Sequence, residues 1–280
     1  MDHPAHEETY RGHRIKVFQD ESPESPRDWD NVGTMVCWHR NYKLGDEQPK
    51  CSPTEWKAAL AAEFDPGITA RIERMSDKAW DRREQLISQG YDSGSRMVKE
   101  ARAEAESKCD SMIESVLDKH IVILPLYLYD HSGITMSTGR FSCPWDSGQV
   151  GFIYCTKETI RKELSRPQPL KKGQERQDYK PIKNVTKKDL AHAEEYLRRE
   201  VKTYDQYLTG DVYGFVIEGL DDEEGNSCWG FFGMDDCIES AKLEVDANIK
   251  YLESPEYKNK VVTAEAEAYA DIMEGALCCG

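Results

Sequence analysis

Long apolar runs are missing from this 280-residue chain. No stretch approaches the roughly 18 consecutive apolar residues of a membrane-spanning helix, so no membrane contact is expected. The first residues, Met-Asp-His-Pro-Ala-His-Glu-Glu, hold no apolar core of a secretory signal, and the expected compartment is a reducing cytoplasm. Positive charge is scarce as well: 37 Lys and Arg face 52 Asp and Glu, a net charge of −15. Neutralising phosphates takes clustered cations, so nucleic acid is not the expected partner. The one basic tract, Arg161 to Lys188, reads as a solvated loop.

Paired-cysteine motifs are absent too. The chain has nine Cys, yet none stands in a Cys-x-x-Cys pair, which argues against a zinc ribbon or a thioredoxin-type site. Cys37, Cys155 and Cys228 fall inside apolar strand-like segments, where a reduced Cys packs as a small hydrophobe. Walker loops, dinucleotide fingerprints, His-Glu-x-x-His and Gly-x-Ser-x-Gly do not occur, so no cofactor is expected from a phosphate cradle or a nucleophile elbow.

Aromatic residues, in contrast, are plentiful: 6 Trp, 14 Tyr and 7 Phe are enough for a packed core in a chain that is 32% charged. The pattern predicts an α+β fold with an antiparallel or mixed sheet, helices on one face and a long helical insertion. Arg14–Phe18, Gly33–Trp38, Ile121–Tyr129, Ile134–Thr138, Gln149–Cys155, Asp211–Ile217 and Ser227–Phe232 read as strands, after a polar tail. Pro125 within the third of these calls for a bulge or an unpaired position. Ser52-Pro-Thr-Glu55 has the N-cap, first-turn Pro and third-position Glu of a helix start. Thr156 and Thr186 read as further caps, Gly210 as a helix stop, and Asp235 or Asp236 as the start of another helix.

From Ile68 to Leu117 apolar residues recur every three or four positions between dense charges. Gly90 and Gly94 divide this stretch into two helices. It reads as an arm, residues 66–118, inserted into a sheet domain made of 1–65 and 119–280. Its apolar stripe either packs on its own domain or offers a surface for self-association. The acidic run Asp221–Gly225 reads as a turn, and Thr263–Leu277 as weakly helical. Val150-Gly-Phe-Ile-Tyr and Tyr213-Gly-Phe-Val-Ile echo each other and raise the idea of a duplication.

The densest set of reactive side chains is Asp130-His-Ser-Gly133 with Arg140-Phe-Ser-Cys-Pro-Trp-Asp-Ser-Gly148, bounded by strands. A catalytic reading makes Cys143 the nucleophile, His131 its base and Asp130 or Asp146 the orienter. Pro144 opposes it, having no N–H to offer an oxyanion. A metal reading joins Cys37 or His39 to His131 and Cys143, but nothing supplies the remaining ligands at a telling interval, so no metal is expected. A structural reading packs Trp145 at the core edge. A recognition reading makes Asp130, His131, Trp145 and Asp146 a binding surface, to which Trp29, Trp38 and His39 of a second polar-aromatic block could add.

Arg27–His39, Leu126–Ser137, Phe141–Phe152 and Asp205–Gly214 resemble blocks of a family of uncharacterised proteins encoded by bacteriophages and other mobile elements. They cover roughly a sixth of the chain and bring no activity with them. The resemblance implies a setting, a protein made inside an infected bacterium and in its cytoplasm, and no mechanism. In that setting the leading expectation is an accessory protein that binds and inhibits or modulates a host protein, a defence system among the candidates, through its acidic surface or the 130–148 block. Alternatives are a small-molecule, nucleotide or Cys/His-dependent site at 130–148, or a nucleic-acid mimic with a continuous acidic stripe. Enzymatic activity is not the leading expectation.

Overall fold

A computed structural model describes residues 3–163, 166–167, 179–180, 182–219, 226–255, 257 and 259. In chain order the elements are β1 (His6–Tyr10), β2 (His13–Gln19), β3 (Thr34–Cys37), α1 (Pro53–Phe64), α2 (Ile68–Ser88) and α3 (Arg96–His120). Then follow β4 (Ile121–Asp130), β5 (Ile134–Ser137), β6 (Ser147–Thr156), α4 (Lys157–Glu163), β7 (Arg166–Pro167) and β8 (Tyr179–Lys180). The last are α5 (Lys187–Thr209), β9 (Val212–Glu218), β10 (Asn226–Phe232) and α6 (Met234–Glu253). The fold is α+β, as the patterning predicts, and its strands form antiparallel sheets.

The chain divides into two compact units, residues 1–25 with 206–280 and residues 26–205. This differs from the expected single sheet domain, 1–65 with 119–280, carrying 66–118 as an arm. Periodicity reveals that a segment is a strand but not which strand it pairs with. β2 pairs with β9 across most of the sequence; the Lys16–Glu218 ion pair joins residues 202 positions apart.

In the first unit the strand order is β1-β2-β9-β10. The polar tail is itself a strand: β1 turns into β2 through Arg11-Gly12, both with positive φ, 48° and 88°. Two central residues of that kind match the twist of a tight hairpin. Alternate residues Ile15, Val17, Phe215 and Ile217 point at α6, which meets them with Cys237, Ala241 and Val245 at intervals of four. Full burial of such an Ile or Val contributes about 1.5–3 kcal/mol each. The helix begins at Met234, one or two residues ahead of the expected Asp235 or Asp236. Cys228 is exposed rather than packed. The acidic turn 221–225 and the stretch 263–277 lie outside the described residues.

In the second unit the order is β3-β6-β4-β5, with the long β4 and β6 in the centre. Val36, Trp56, Leu60, Ile113, Val116 and Leu117 form a core on one face, with Trp38, Phe152 and Tyr154 packed against it. The Trp56 and Phe152 rings stack at 5.8 Å. The opposite face belongs to α5, whose stripe Ala193, Leu197, Val201 and Tyr204 is buried. A Cβ on Gly33 would touch both Leu197 and Ile153, so strand and helix meet there. This sheet therefore carries helices on both faces, whereas the first carries α6 on one. Pro125 is paired with Phe152, and the bulge falls just beyond it, between Leu126 and Tyr127.

The helix start at Ser52 is a capping box: the Glu55 N–H donates to the Ser52 hydroxyl, and the Ser52 N–H to the Glu55 carboxylate. Thr186 and Asp189 make the same exchange ahead of α5, and Thr156 caps α4 through the Thr159 N–H. Gly210, with φ 74°, follows the last residue of α5.

A partly buried ionic network ties this unit together. Arg27, 6% exposed, donates to both carboxylate oxygens of Asp46, to Glu200 at 3.1 Å and to the Gly33 carbonyl. Glu200 accepts from the Val32 and Gly33 N–H groups, and Asp46 from the Met35 N–H. Burial by itself lowers the Arg27 pKa, but the hydrogen bonds and charges of Asp46 and Glu200 outweigh it and hold the guanidinium above its ordinary value.

Candidate functional site

The polar-aromatic block grows from the end of the central strands. β4 ends at Asp130, and His131-Ser-Gly133 turns it into β5, with Ser132 at φ 55° and the His131 N–H donating to the Gly133 carbonyl. The hairpin expected here is present, with Asp130 opposite Ile134. From β5 the chain crosses over β4 to reach β6, and this crossing segment, residues 138–146, carries Cys143 and Trp145.

Several contacts fix the crossing. The Asp130 N–H donates to the Asp146 carbonyl at 2.8 Å, and the Ser147 hydroxyl donates to the Cys143 carbonyl. The Arg140 guanidinium bonds the Tyr127 hydroxyl at 3.1 Å and lies over its ring. Phe141 packs on Tyr129, their ring centres 5.7 Å apart. From α5, Arg198 reaches the Thr138 hydroxyl at 2.9 Å. Preorganised loops of this kind lose little entropy on meeting a partner.

Asp146 is the hub of the reactive groups. Its Oδ2 stands 3.7 Å from His131 Nδ1 and 3.5 Å from Cys143 Sγ, which donates to it. The carboxylate thus accepts the thiol hydrogen bond, with the imidazole close by. The thiol-to-imidazole hydrogen bond that defines a Cys/His nucleophile is not what this geometry supplies. Asp130, exposed, receives the Tyr42 hydroxyl at 3.4 Å. Tyr42 stacks on His39 at 4.8 Å, and His39 Nδ1 accepts the N–H groups of Asn41 and Tyr42. His39 is thereby brought beside the block, and Tyr42 is the residue that sequence reading missed. Its place depends on the order β3-β6-β4, which no local pattern carries.

Trp145 does not fill a core edge; it is 91% exposed. Trp38, expected as a contact residue, is a packing residue: its Nε1–H donates to the Cys51 carbonyl at 2.7 Å and its ring meets Trp56 and Phe152 edge-on. Trp29 is exposed, but it lies on the loop leading into Thr34, which pairs with Tyr154. Tyr154 lies seven residues along β6 from Ser147, where β6 leaves the block, about 23 Å of strand away. Cys37 is fully buried, and burial pushes its thiol up to about 12. Among the described residues no three His, Cys, Asp or Glu side chains are grouped to hold a metal, and the set Cys37, His39, His131 and Cys143 is not assembled. Most of the basic tract Arg161–Lys188 lies outside the described residues.

No helix among the described residues is long and apolar enough to cross a membrane. Comparison of the chain with protein families, with curated proteins and with solved structures finds no match.

Proposed function

We propose that this chain is a binding protein without covalent chemistry, and that it engages a partner protein through the tip formed by Asp130, His131, Trp145 and Asp146. The observation that carries this reading is Trp145: an indole 91% exposed, on a crossing segment tied down at residues 138, 140, 141, 143 and 146. Water solvates an indole poorly, and Trp is enriched among the residues that dominate protein interfaces. A projecting knob fits a socket on another protein, whereas a small molecule needs a concave site. Carboxylates at 130 and 146 and a net charge of −15 favour a partner with a basic rim.

The resemblance to phage-encoded proteins adds the setting: the partner is a host protein of the bacterial cytoplasm, a defence component among the candidates. The catalytic alternative at Cys143 is weaker, because its sulfur hydrogen-bonds a carboxylate. The acidic-mimic alternative is weaker along α3, where Arg96, Arg102 and Lys108 pair with Glu100, Glu106 and Glu104.

The test is quantitative capture from bacterial lysate with the native chain, Trp145→Ala and His131→Ala side by side. A host protein held by the native chain should be lost with Trp145→Ala, by at least about 2 kcal/mol, roughly thirty-fold in affinity. Capture that is indistinguishable among the three proteins, or no capture above background, overturns the reading.

A further inference from the structure

Two antiparallel helices can cover only part of each other's apolar stripes, and the α2–α3 hairpin shows the consequence. Near the sheet, α1 closes the seam: Trp56, Leu60, Ile68, Ile113 and Leu117 are buried together. Leu86 and Val98 are buried at the tip, but along the middle of the hairpin no described residue of this unit closes the seam, and Ile72, Met75, Ala79, Ala101, Ala105 and Cys109 are only half-buried. A groove of about 860 Å³ runs between α1, α2 and α3, with Ile72, Ala79, Trp80, Ala105, Cys109 and Ile113 along it. Trp80 at its rim is 58% exposed, with the Arg83 guanidinium 5.0 Å above its ring. Apolar exposure of this extent on an otherwise charged arm marks a contact surface.

The charges along the groove are sorted by position. α3 runs from the tip of the hairpin toward the sheet, and α2 runs the other way. Arg83 and Arg102 therefore lie toward the tip, Glu106 in the middle beside Arg102, and Glu55 and Asp110 toward the base. Ala79 and Ala105, between them, leave room for another helix to approach closely.

We infer that the groove is covered by a second copy of this chain, arm against arm and antiparallel, in a four-helix bundle about a two-fold axis. A two-fold axis sets a surface against itself end for end. That operation places Arg83 and Arg102 of one copy opposite Asp110 and Glu55 of the other, and Trp80 over the apolar wall of its neighbour. A parallel arrangement would set like charge on like. The Arg102–Glu106 pair within α3 is exposed, so exchanging it for a partner across the interface costs little. The 21 residues of α2 span about 30 Å. Two helices side by side then offer about 1,200 Å² in total, where specific interfaces begin. A micromolar dimer is the scale expected.

Sedimentation of the purified full chain from about 1 to 100 μM tests this. The expected result is a monomer–dimer equilibrium that weakens with added salt. Trp80→Ala and Arg102→Glu each raise the dimer dissociation constant at least about ten-fold, with helix content unchanged by circular dichroism. The double variant Arg102→Glu with Asp110→Arg, which reverses both ends, restores the dimer. A chain that is monomeric throughout overturns the inference, as does a dimer indifferent to Trp80→Ala. A double variant no tighter than Arg102→Glu alone overturns the antiparallel pairing. Trp145→Ala leaves the dimer intact, so this result and the partner-binding result are read separately.

Discussion

The Arg27 guanidinium holds the Asp46 carboxylate by two parallel hydrogen bonds, Nε to Oδ1 at 2.9 Å and Nη2 to Oδ2 at 2.7 Å. The Arg27 side chain is 6% exposed while Asp46 keeps a quarter of its side chain in water, and Glu200, with its side chain 14% exposed, shares the same cation. Removing Arg27 would leave two partly buried carboxylates facing each other. Arg27→Ala is therefore expected to destabilise the protein by about 3–5 kcal/mol in urea unfolding, and Arg27→Lys, a point charge without the planar fork, to recover only part of this. A loss below about 1 kcal/mol for Arg27→Ala would show that the network is not a main tie of this unit.

What could be seen in the sequence was whatever is local. The Ser52–Glu55 box, the Thr186 cap, the Gly210 stop and the 130–133 hairpin all depend on residues within a few positions of each other, and all are present. What could not be seen is non-local. β1 is polar and alternates too weakly to register, since its pairing is set by the Arg11-Gly12 turn and by β2. The split into two four-stranded sheets depends on β2 finding β9, and the Arg27–Asp46–Glu200 network joins residues up to 173 positions apart. At the candidate site the sequence supplied the residues but not their arrangement: Asp146, and not His131, is the group that the Cys143 thiol meets.

The two Gly-Phe echoes separate by what lies over the glycine. A Cβ at Gly151 would come within 2.1 Å of the Val36 carbonyl oxygen and 3.0 Å of the Cys37 Cα, both backbone atoms of β3. At Gly214 it would meet the ring of Trp229, a half-exposed side chain rather than backbone. Gly151→Ala should thus cost more than about 3 kcal/mol or prevent folding, and Gly214→Ala about 1–2 kcal/mol. Thermal unfolding of the two variants decides it; equal losses would contradict the close approach of β3 and β6.

Thiol reactivity should follow burial. Burial pushes Cys37, Cys155 and Cys237 up to about 12, with nearby Asp46 adding to the effect at Cys37 and nearby Glu200 at Cys155. Cys51 and Cys228 are exposed. At pH 8 an alkylating reagent should modify Cys51 and Cys228 within minutes and leave Cys37, Cys155 and Cys237 untouched until denaturant is added. Peptide mapping reads each site. Rapid native labelling of Cys237 would mean that α6 does not sit on its sheet as described.

Acid should loosen the start of α1 and the α1–α2 corner. The Ser52 backbone and hydroxyl bonds hold the Glu55 carboxyl below its ordinary value, and the Arg71 bond does the same for Asp65. A carboxylate depressed in the folded state adds stability that is fully present above its unfolded value of about 4 and is lost as pH falls through the folded one. Between pH 5 and pH 2 the urea midpoint should therefore fall, and the fall should be shallower in Glu55→Gln and in Asp65→Asn. Ser52→Ala should cost about 1 kcal/mol at neutral pH. Slopes identical in all variants would remove these two carboxylates from the acid response.

Trp38 and Trp145 are equivalent in the sequence, each an indole in a polar-aromatic block, and the structure gives them opposite surroundings. Trp38 spends its N–H on the Cys51 carbonyl and its ring on Trp56 and Phe152. Truncating it opens a cavity beside α1 and orphans an acceptor, so Trp38→Ala should cost about 3–5 kcal/mol of stability. Trp145 projects into water, and Trp145→Ala should leave stability within about 0.5 kcal/mol. Partner affinity should divide the other way: lost with Trp145→Ala, and kept with Trp38→Phe, which preserves most of the packing while giving up the hydrogen bond. Urea unfolding and partner titration on these variants measure both quantities. If Trp145→Ala melts the protein while Trp38→Phe abolishes binding, the recognition surface lies beside α1 and not at the tip of β4 and β6.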